Sequence, residues 1–561
     1  MPDELNVKLG GEAGQGLQSV GLILGRLYAR SGFHVFANQD NESRIRGGHY
    51  FYQIRVAAHP VETMGETIHL LVDFDGKSHR LHASELAAGA VVLVDAQRAG
   101  PGETALPLLD IARAAGGGDV HRNTVAAGAV AALTGQDQET LAALLAERFA
   151  DDANAREINS ACAREGYRAG MATGRRVAPP PPSGPVRRPF LNGHEALSLG
   201  CLAADCAFMA AYPMSPSTPI ITYLAGQADT FGLVVEQAED EIAAVNMALG
   251  ASYAGVRAMT ATSGGGFALM VEGLSLAGML ELPVVVVIAQ RPGPATGLPT
   301  RTEQGDLLFA IHAGHGEFPR FVLAPATAAE AFSMAVRAFD LAERFQVPVI
   351  VLTDQHLGES YFTPEPFPWG DVTVGDHRLT SAAPPYRRYA PGPDGVSPLA
   401  VPGTVDAVVV DSDEHDAAGH IIEDAATREA MVLKRLRKLP AMRAALRPPL
   451  RRGPREAPDV LLGWGSAWGA LCEAGEKLSA TGAPVEVWGV QELWPLNPEH
   501  FAPLAGRRVT VVESNATGQM AGLLSGRAGV PVRHSINRFD GRPLSAGYII
   551  ERFKEARGHD R

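Results

Sequence analysis

Apolar positions along this chain fall into two patterns. One recurs with helical spacing, as over residues 17–30, 195–208 and 241–254; the other is a short run of Val and Ile, as over 282–289 and 345–353. The first predicts amphipathic helices. The second predicts strands buried on both faces, because a strand covered by helices on either side has no polar face to show. Residues 6–9 read as a further strand, followed by the glycine-rich turn Gly10 to Gly16 and then the first helix, a strand–loop–helix entry into an α/β domain. More strands are expected at 50–56, 69–72 and 90–94, with Ala-rich helices reaching Met171. Buried strands that alternate with helices imply a mostly parallel sheet.

Breaks in the pattern set the domain organisation. The four prolines Pro179 to Pro182, followed by Ser183-Gly184-Pro185, donate no backbone hydrogen bonds at the proline positions and favour a semi-rigid, extended spacer. We therefore expect a first domain over 1–174, a linker over 175–190 and a second domain over 191–360. Residues 361–457 are expected to wrap over a surface, the stretch 362–402 being rich in Pro, Gly and polar groups and poor in structure of its own. A smaller β-α-β-α-β unit over 458–561 begins with the strand 460–465 and continues through strands at 485–488 and 509–512.

Length and composition agree with several compact units. At 561 residues the chain exceeds what a single core organises, and with 46% hydrophobic and 20% charged residues it is not a disordered polymer. A net charge of −13 repels a phosphate backbone, which argues against nucleic acid. The basic run Lys434, Arg435, Arg437, Lys438, Arg443, Arg447, Arg451, Arg452 and Arg455 reads as a solvated helix followed by a linker, or else as contact with an acidic partner. The four cysteines (Cys162, Cys201, Cys206, Cys472) lack the CxxC spacing of a zinc or iron–sulfur site, so no metal is assigned to this chain. Sparse thiols without a signal peptide suit a cytoplasmic protein, and no apolar run reaches the roughly 18 residues of a membrane span.

Six segments carry candidate chemistry. Gly11-Glu12-Ala13-Gly14-Gln15-Gly16 lies between strand and helix, where glycines allow close backbone approach and free N–H groups attract an anion. A mere tight turn is equally compatible with this spacing. Arg44-Ile45-Arg46-Gly47-Gly48-His49 adds a second glycine loop with two guanidinium groups, and the pair suits a diphosphate or a coenzyme A tail. Tyr212-Pro213-Met214-Ser215-Pro216-Ser217-Thr218-Pro219, with three prolines, is a rigid loop presenting hydroxyls; an ordinary surface loop is the plainer alternative. The acidic run Glu236 to Glu241 enters an apolar helix whose dipole by itself accounts for two or three of the charges. Thr262-Ser263-Gly264-Gly265-Gly266 is again strand, glycine turn and helix, an anion cradle at the carboxyl edge of a parallel sheet. Finally, Gln290-Arg291-Pro292-Gly293-Pro294 follows the Val-rich strand, and an arginine at such a strand end can grip a carboxylate with both arms of its fork.

Taken in order, these segments resemble the 2-oxoacid:ferredoxin oxidoreductases. Residues 1–174 are similar to the gamma domain and 190–561 to the alpha subunit, in a fused gamma–alpha arrangement. Tyr212-Pro213-Met214-Ser215-Pro216 matches the YPxTP signature, and Gln290-Arg291, Gly293-Pro294 and Gln304-Gly305-Asp306 match the core of the pyrimidine-binding domain. The chain departs from the family at Ser215 (usually Thr), Gly265 (often Pro), Ala295 (Ser) and Ala13 (Gly), the last of which weakens the case for coenzyme A contact by that loop.

The resemblance implies an α/β protein: a thiamine diphosphate-enzyme pyrimidine-type domain, with the gamma domain before it and a transketolase C-terminal-like domain after it. It implies that Glu241 hydrogen-bonds the aminopyrimidine of the cofactor, that Pro213, Ser263, Gly264 and Gly265 shape its pocket, and that Ser215, Arg291, Tyr212 and Arg301 hold the 2-oxoacid. Coenzyme A would meet Gly11, Gly14, Gln15, Gly16, Arg46, Gly47 and Gly48. An iron–sulfur beta subunit would share the thiamine diphosphate and carry Mg2+ and a [4Fe-4S] cluster, pass electrons to ferredoxin, and assemble with this chain as (alpha–beta)2. The segment from Val410 to Asp416 and on to Leu439 is most similar to 2-oxoglutarate-type alpha subunits, which form succinyl-CoA and CO2 reversibly. A second substrate carboxylate needs a second cation, for which Arg301, His312 and His315 are candidates. Pyruvate or branched-chain 2-oxoacids are the alternative substrates, and a non-catalytic scaffold for an iron–sulfur protein is the alternative of another class.

Overall fold

The computed structural model describes residues 3–41, 48–182, 184 and 188–558. The chain divides into two compact units, one of Met1–Asn192 with Glu359–Pro366 and the other of Gly193–Gly358 with Phe367–Arg561.

The first unit is built on an eight-stranded sheet in the order Thr104–Leu106, Leu86–Asp95, Ile68–Asp73, Glu4–Glu12, His49–Ala57, His34–Asn41, Tyr361–Phe362, Leu191–Asn192. Pairing is parallel from Thr104–Leu106 through Glu4–Glu12, and antiparallel from there to the last strand. The helix Leu17–Arg30 turns Val20, Leu24 and Leu27 onto the sheet, where they join Leu5, Val7 and Val35 in one core. Gly21 is required in that helix, since a methyl group there would lie 2.2 Å from the Tyr52 ring. The helices Arg122–Leu133 and Ala153–Ala172 approach closely for the same reason, a methyl at Gly128 falling 2.0 Å from the Ala163 carbonyl.

The second unit carries a seven-stranded sheet in the order Glu492–Trp494, Phe321–Leu323, Pro348–Asp354, Val284–Gln290, Arg257–Thr262, Cys206–Ala211, Val234–Gln237. All pairings are parallel except that of Glu492–Trp494, which comes from the C-terminal region. Chain order reverses direction across the sheet between Cys206–Ala211 and Arg257–Thr262. At such a switch point the loops leaving neighbouring strands part to opposite faces and leave a crevice. A five-stranded sheet follows, Leu450–Arg452, Val485–Val490, Asp459–Trp464, Arg508–Glu513, Val532–Asn537, with parallel pairing apart from its first strand.

Three expectations are corrected. The helix expected over 195–208 ends at Ala203, because Cys206–Ala211 is an interior strand. The span 361–457 contains the helices Ala425–Leu436 and Lys438–Ala445, as well as the strand Tyr361–Phe362 of the first unit. The basic run is not a solvated face throughout: Lys434, Arg435 and Lys438 are buried.

Arg435 pairs with Glu414 at 2.7 Å, and the two lysines share another partner. Glu281, buried at the end of the helix Val271–Leu280, takes Lys434 Nζ at 2.5 Å on one carboxyl oxygen and Lys438 Nζ at 2.6 Å on the other. Arg388 donates to the Glu281 backbone carbonyl at 2.7 Å. Burial pushes the Glu281 carboxyl up, but Lys438, then Lys434 and Arg388, outweigh it and hold the group at about 2. One carboxylate thus ties the segment after residue 361 to the sheet domain. Replacing Glu281 with Gln would strand two buried ammonium groups. We expect a loss of about 3–5 kcal/mol, the cost of breaking a buried ion pair from one side, read as a lower urea midpoint of the full chain at unchanged slope.

Candidate active site

The crevice at the switch point is lined by the expected motifs. Tyr212 to Pro219 leaves the end of Cys206–Ala211, Thr262 to Gly266 leaves Arg257–Thr262, and Arg291 leaves Val284–Gln290. Arg291 Nη1 donates to the Ser215 carbonyl at 2.6 Å, joining two of these loops. Met214 Sδ lies 3.9 Å from Thr262 Oγ1, joining the third. Ser215, Arg291, Thr262 and Ser263 therefore share one sheet edge.

Glu241 begins the helix Glu241–Tyr253, capped by the Asp240 side chain on the Ala243 N–H at 2.7 Å. Glu236 and Glu239 are exposed, whereas Glu241 is 3% exposed. Its Oε1 has no hydrogen-bond partner among the described residues, and neither does the buried Ser263 Oγ. An unpaired buried oxygen costs about 1–3 kcal/mol, so both are the kind of group a ligand satisfies.

The three glycines between them are not equivalent. A methyl at Gly266 would lie 2.1 Å from Thr262 Oγ1 and 2.4 Å from Glu241 Oε1, and one at Gly264 would lie 2.6 Å from Asp306 Oδ2. At Gly265 the nearest atom would be the Ala295 carbonyl oxygen at 3.8 Å. Gly265, where this chain departs from the family's usual proline, is the one position with room.

The outer wall is clamped by the C-terminal region. Gln304 receives the Ser514 N–H at 3.0 Å and donates to the Trp464 carbonyl at 2.8 Å, while Gln519 donates to the Gly305 carbonyl at 2.7 Å. The stem of Arg301 packs on Gly541, whose φ of 77° keeps it free of a side chain. Tyr212 is largely exposed at the rim, and Pro213 is half-buried. Of the other cation candidates, His312 and His315 are exposed. His315 lines a separate hollow of about 330 Å³ with Glu272, Phe318, Arg428 and Arg435, whose walls include neither Ser215, Glu241 nor Arg291.

In the first unit, Gly14 (φ 90°) and Gly16 (φ 74°) supply the left-handed turns before the helix Leu17–Arg30. Gln15 folds back, its Oε1 accepting the Glu12 N–H at 3.0 Å over Gly11. Asn123 approaches Gly16 closely and donates to the Gln15 carbonyl at 3.4 Å. Gly48 also has positive φ, at 71°. Arg44, Arg46 and Gly47 lie outside the described residues.

Comparison with known proteins agrees with this arrangement. Residues 199–434 match the family described as pyruvate flavodoxin/ferredoxin oxidoreductase, thiamine diphosphate-binding, and residues 6–169 match pyruvate ferredoxin/flavodoxin oxidoreductase. A 2-oxoacid:ferredoxin oxidoreductase subunit alpha from Sulfolobus sp is 30% identical over 96% of this chain and 94% of its own length. The chain belongs to this family. A 2-oxoglutarate oxidoreductase subunit KorA from Mycobacterium tuberculosis is 28% identical over 97% of this chain and 90% of its own. The 2-oxoglutarate:ferredoxin oxidoreductase from Magnetococcus marinus, solved with 2-oxoglutarate, coenzyme A and succinyl-CoA bound, superposes with a TM-score of 0.90 at 31% identity, covering 99% of this chain and 100% of that one. The 2-oxoacid:ferredoxin oxidoreductase fold, with its thiamine-type domain, is thereby shown for this chain.

Residues to which the motifs gave no role are Gln290, Gln304, Asp306 and Asn123. Gln290, Gln304 and Asp306 stand inside matched motifs, but spacing assigns them nothing. Gln290 receives the Asp306 N–H at 3.0 Å and donates to the Thr353 carbonyl at 3.2 Å, contacts that no local pattern reveals.

The glycine geometry makes a prediction. Gly266→Ala forces the fully buried Thr262 to move and should cost about 1–3 kcal/mol, as overpacking does. Gly265→Ala should stay within about 0.5 kcal/mol of the parent. Thermal unfolding of the two variants side by side checks the contrast.

Proposed function

We propose that this chain is the alpha subunit of a 2-oxoglutarate:ferredoxin oxidoreductase, converting 2-oxoglutarate and coenzyme A to succinyl-CoA and CO2 with electrons passed to ferredoxin. The observation that carries the proposal is the buried Glu241 Oε1, held without a partner over a glycine where any side chain would displace it. The match to a structure with 2-oxoglutarate, coenzyme A and succinyl-CoA bound supports the choice of substrate.

The residues present fit thiamine diphosphate. Glu241 Oε1 is positioned to hold a proton against a ring nitrogen of the aminopyrimidine, Ser263 Oγ to make a second polar contact, and Pro213, Gly264 and Gly265 to leave space for the ring. When bound, thiamine diphosphate supplies the nucleophilic carbon and electron sink that decarboxylation of a 2-oxoacid requires. Arg291, already fixed on the Ser215 carbonyl, orients the substrate carboxylate. The Ser215 hydroxyl, Tyr212 and Arg301 complete the grip. Coenzyme A is assigned to Gly11, Gly14, Gln15, Gly16 and Gly48 of the first unit, with Arg46 and Gly47.

The site's surroundings support a shared arrangement. Beside the motif residues stand Tyr212 (41% exposed), Ile242, Leu269 and Leu298 (each 49%) and Leu308 (38%). Exposed apolar side chains at positions adjoining the motifs suit a surface that another protein covers. We assign that cover to a beta subunit carrying Mg2+ and a [4Fe-4S] cluster, in an (alpha–beta)2 assembly that reduces ferredoxin. Among the described residues no helix is long and apolar enough to cross a membrane. A cytoplasmic location is part of the proposal.

The test is coenzyme A-dependent reduction of ferredoxin by the chain co-purified with its partner, comparing 2-oxoglutarate, pyruvate and 2-oxoisovalerate. Preference for 2-oxoglutarate supports the proposal, and preference for either of the others replaces it. Glu241→Gln should lower kcat by about 10²–10⁴, the usual worth of a placed acid–base group. Arg291→Ala should raise KM by the loss of about 1.5–3 kcal/mol of charge-assisted binding. Unchanged kinetics in both variants would mark the chain as a scaffold.

A further inference from the structure

Asp306 is the unexplained group of the crevice. Its Oδ2 is shut off from solvent and has no hydrogen-bond partner among the described residues, although the residue as a whole is only partly buried. The carboxyl lies against Gly264, on the same glycine turn that Glu241 touches at Gly266. Its backbone is immobilised from two sides. Gln290, the residue before Arg291, accepts its N–H, and Gln519 holds the preceding Gly305 carbonyl. A rigidly mounted polar atom left unpaired on the glycine turn of the crevice is a contact awaiting a ligand.

We infer that Asp306 is a substrate-positioning residue of this site, which engages the bound 2-oxoacid as a neutral carboxylic acid and donates a hydrogen bond to one of its oxygens. The inference rests on the function proposed above. A 2-oxoacid near neutral pH offers only acceptors, so an ionised carboxylate beside it would repel, whereas a protonated one donates. Burial alone pushes Asp306 up to about 6, so near neutrality the acid form is an accessible minority that an acceptor-only ligand selects on binding. The ionisable groups of the surrounding elements are Glu303 on its own loop, Glu241 across the glycine turn, Arg291 beyond Gln290, His312 at the far end of its helix, and Glu513 behind Asn515. Glu303 is itself raised by burial and by Asp306. A substrate that offers only acceptors favours retention of the proton.

Two measurements test this. Difference infrared spectra of the full chain between acid and alkaline pH should contain the carbonyl band of a buried carboxylic acid, absent from Asp306→Asn. In the complex with its partner, KM for 2-oxoglutarate should climb with pH through the titration of Asp306. Asp306→Asn, an isosteric and permanently neutral donor, should keep a low KM across the pH range and flatten that dependence. Asp306→Ala should raise KM at every pH by the loss of one hydrogen bond, about 0.5–1.5 kcal/mol or two- to tenfold. An Asn variant whose KM follows the parent's pH profile, or that is as impaired as Ala, overturns the inference, as does the absence of any carbonyl band lost on going from the parent to Asn. If the parent complex turns over 2-oxoglutarate while the Asn variant behaves this way, the inference alone falls. If the parent complex turns over none of the three oxoacids, the function proposed above falls, and the substrate role with it.

Discussion

Two carboxyl groups press on one glycine turn, and the geometry of the active-site crevice follows from that contact. Glu241 lies over Gly266 and Asp306 over Gly264, so neither position can carry a side chain, while at Gly265 a methyl would meet only the Ala295 carbonyl oxygen at 3.8 Å. The turn sits at the carboxyl ends of parallel strands, where the sheet's connectivity reverses. There the backbone has no neighbouring strand to satisfy it, and the loops are free to shape a site. Placing carboxylates in such a spot is costly unless each has a task. Under the function proposed above, one serves the cofactor of the family and the other the substrate.

Rigidity at the crevice comes from parts of the second unit far apart in sequence. Gln304 bridges Trp464 and Ser514, Gln519 holds Gly305, and the strand Glu492–Trp494 extends the same sheet that carries Arg291. Behind the sheet, Glu281 gathers Lys434, Lys438 and Arg388. Such a buried cluster contributes little net stability against an apolar replacement, but breaking it from one side is expensive. Its consequence is specificity of position: the segment after residue 361 has one place where its charges are satisfied.

Much of this was legible in order along the chain. The unbroken Val and Ile runs mark the interior strands, and the helix over 17–30 is bounded by Gly16 and Ser31, as its pattern suggests. Strands with mixed composition were not legible. Cys206–Ala211 continues a helical-looking stretch, and His34–Asn41 alternates too weakly to stand out. The acidic run before residue 242 shows the same limit. Several of its carboxylates are explained by the helix dipole, and nothing local says that Glu241 is the buried one.

Sequence alone was sufficient for the alternation of strand and helix, the glycine turns, the Tyr-Pro-x-Ser-Pro and Gln-Arg-Pro-Gly loops and the resemblance that orders them, because each is written in adjacent residues whose spacing carries the physical meaning. Tertiary structure decided which of three adjacent glycines are obligatory, which carboxyl is left unpaired, and that Lys434 and Lys438 are core rather than surface. Those outcomes depend on desolvation and on atoms brought together from distant segments. Burial and pairing are properties of that assembled environment, and no window of neighbouring residues contains them.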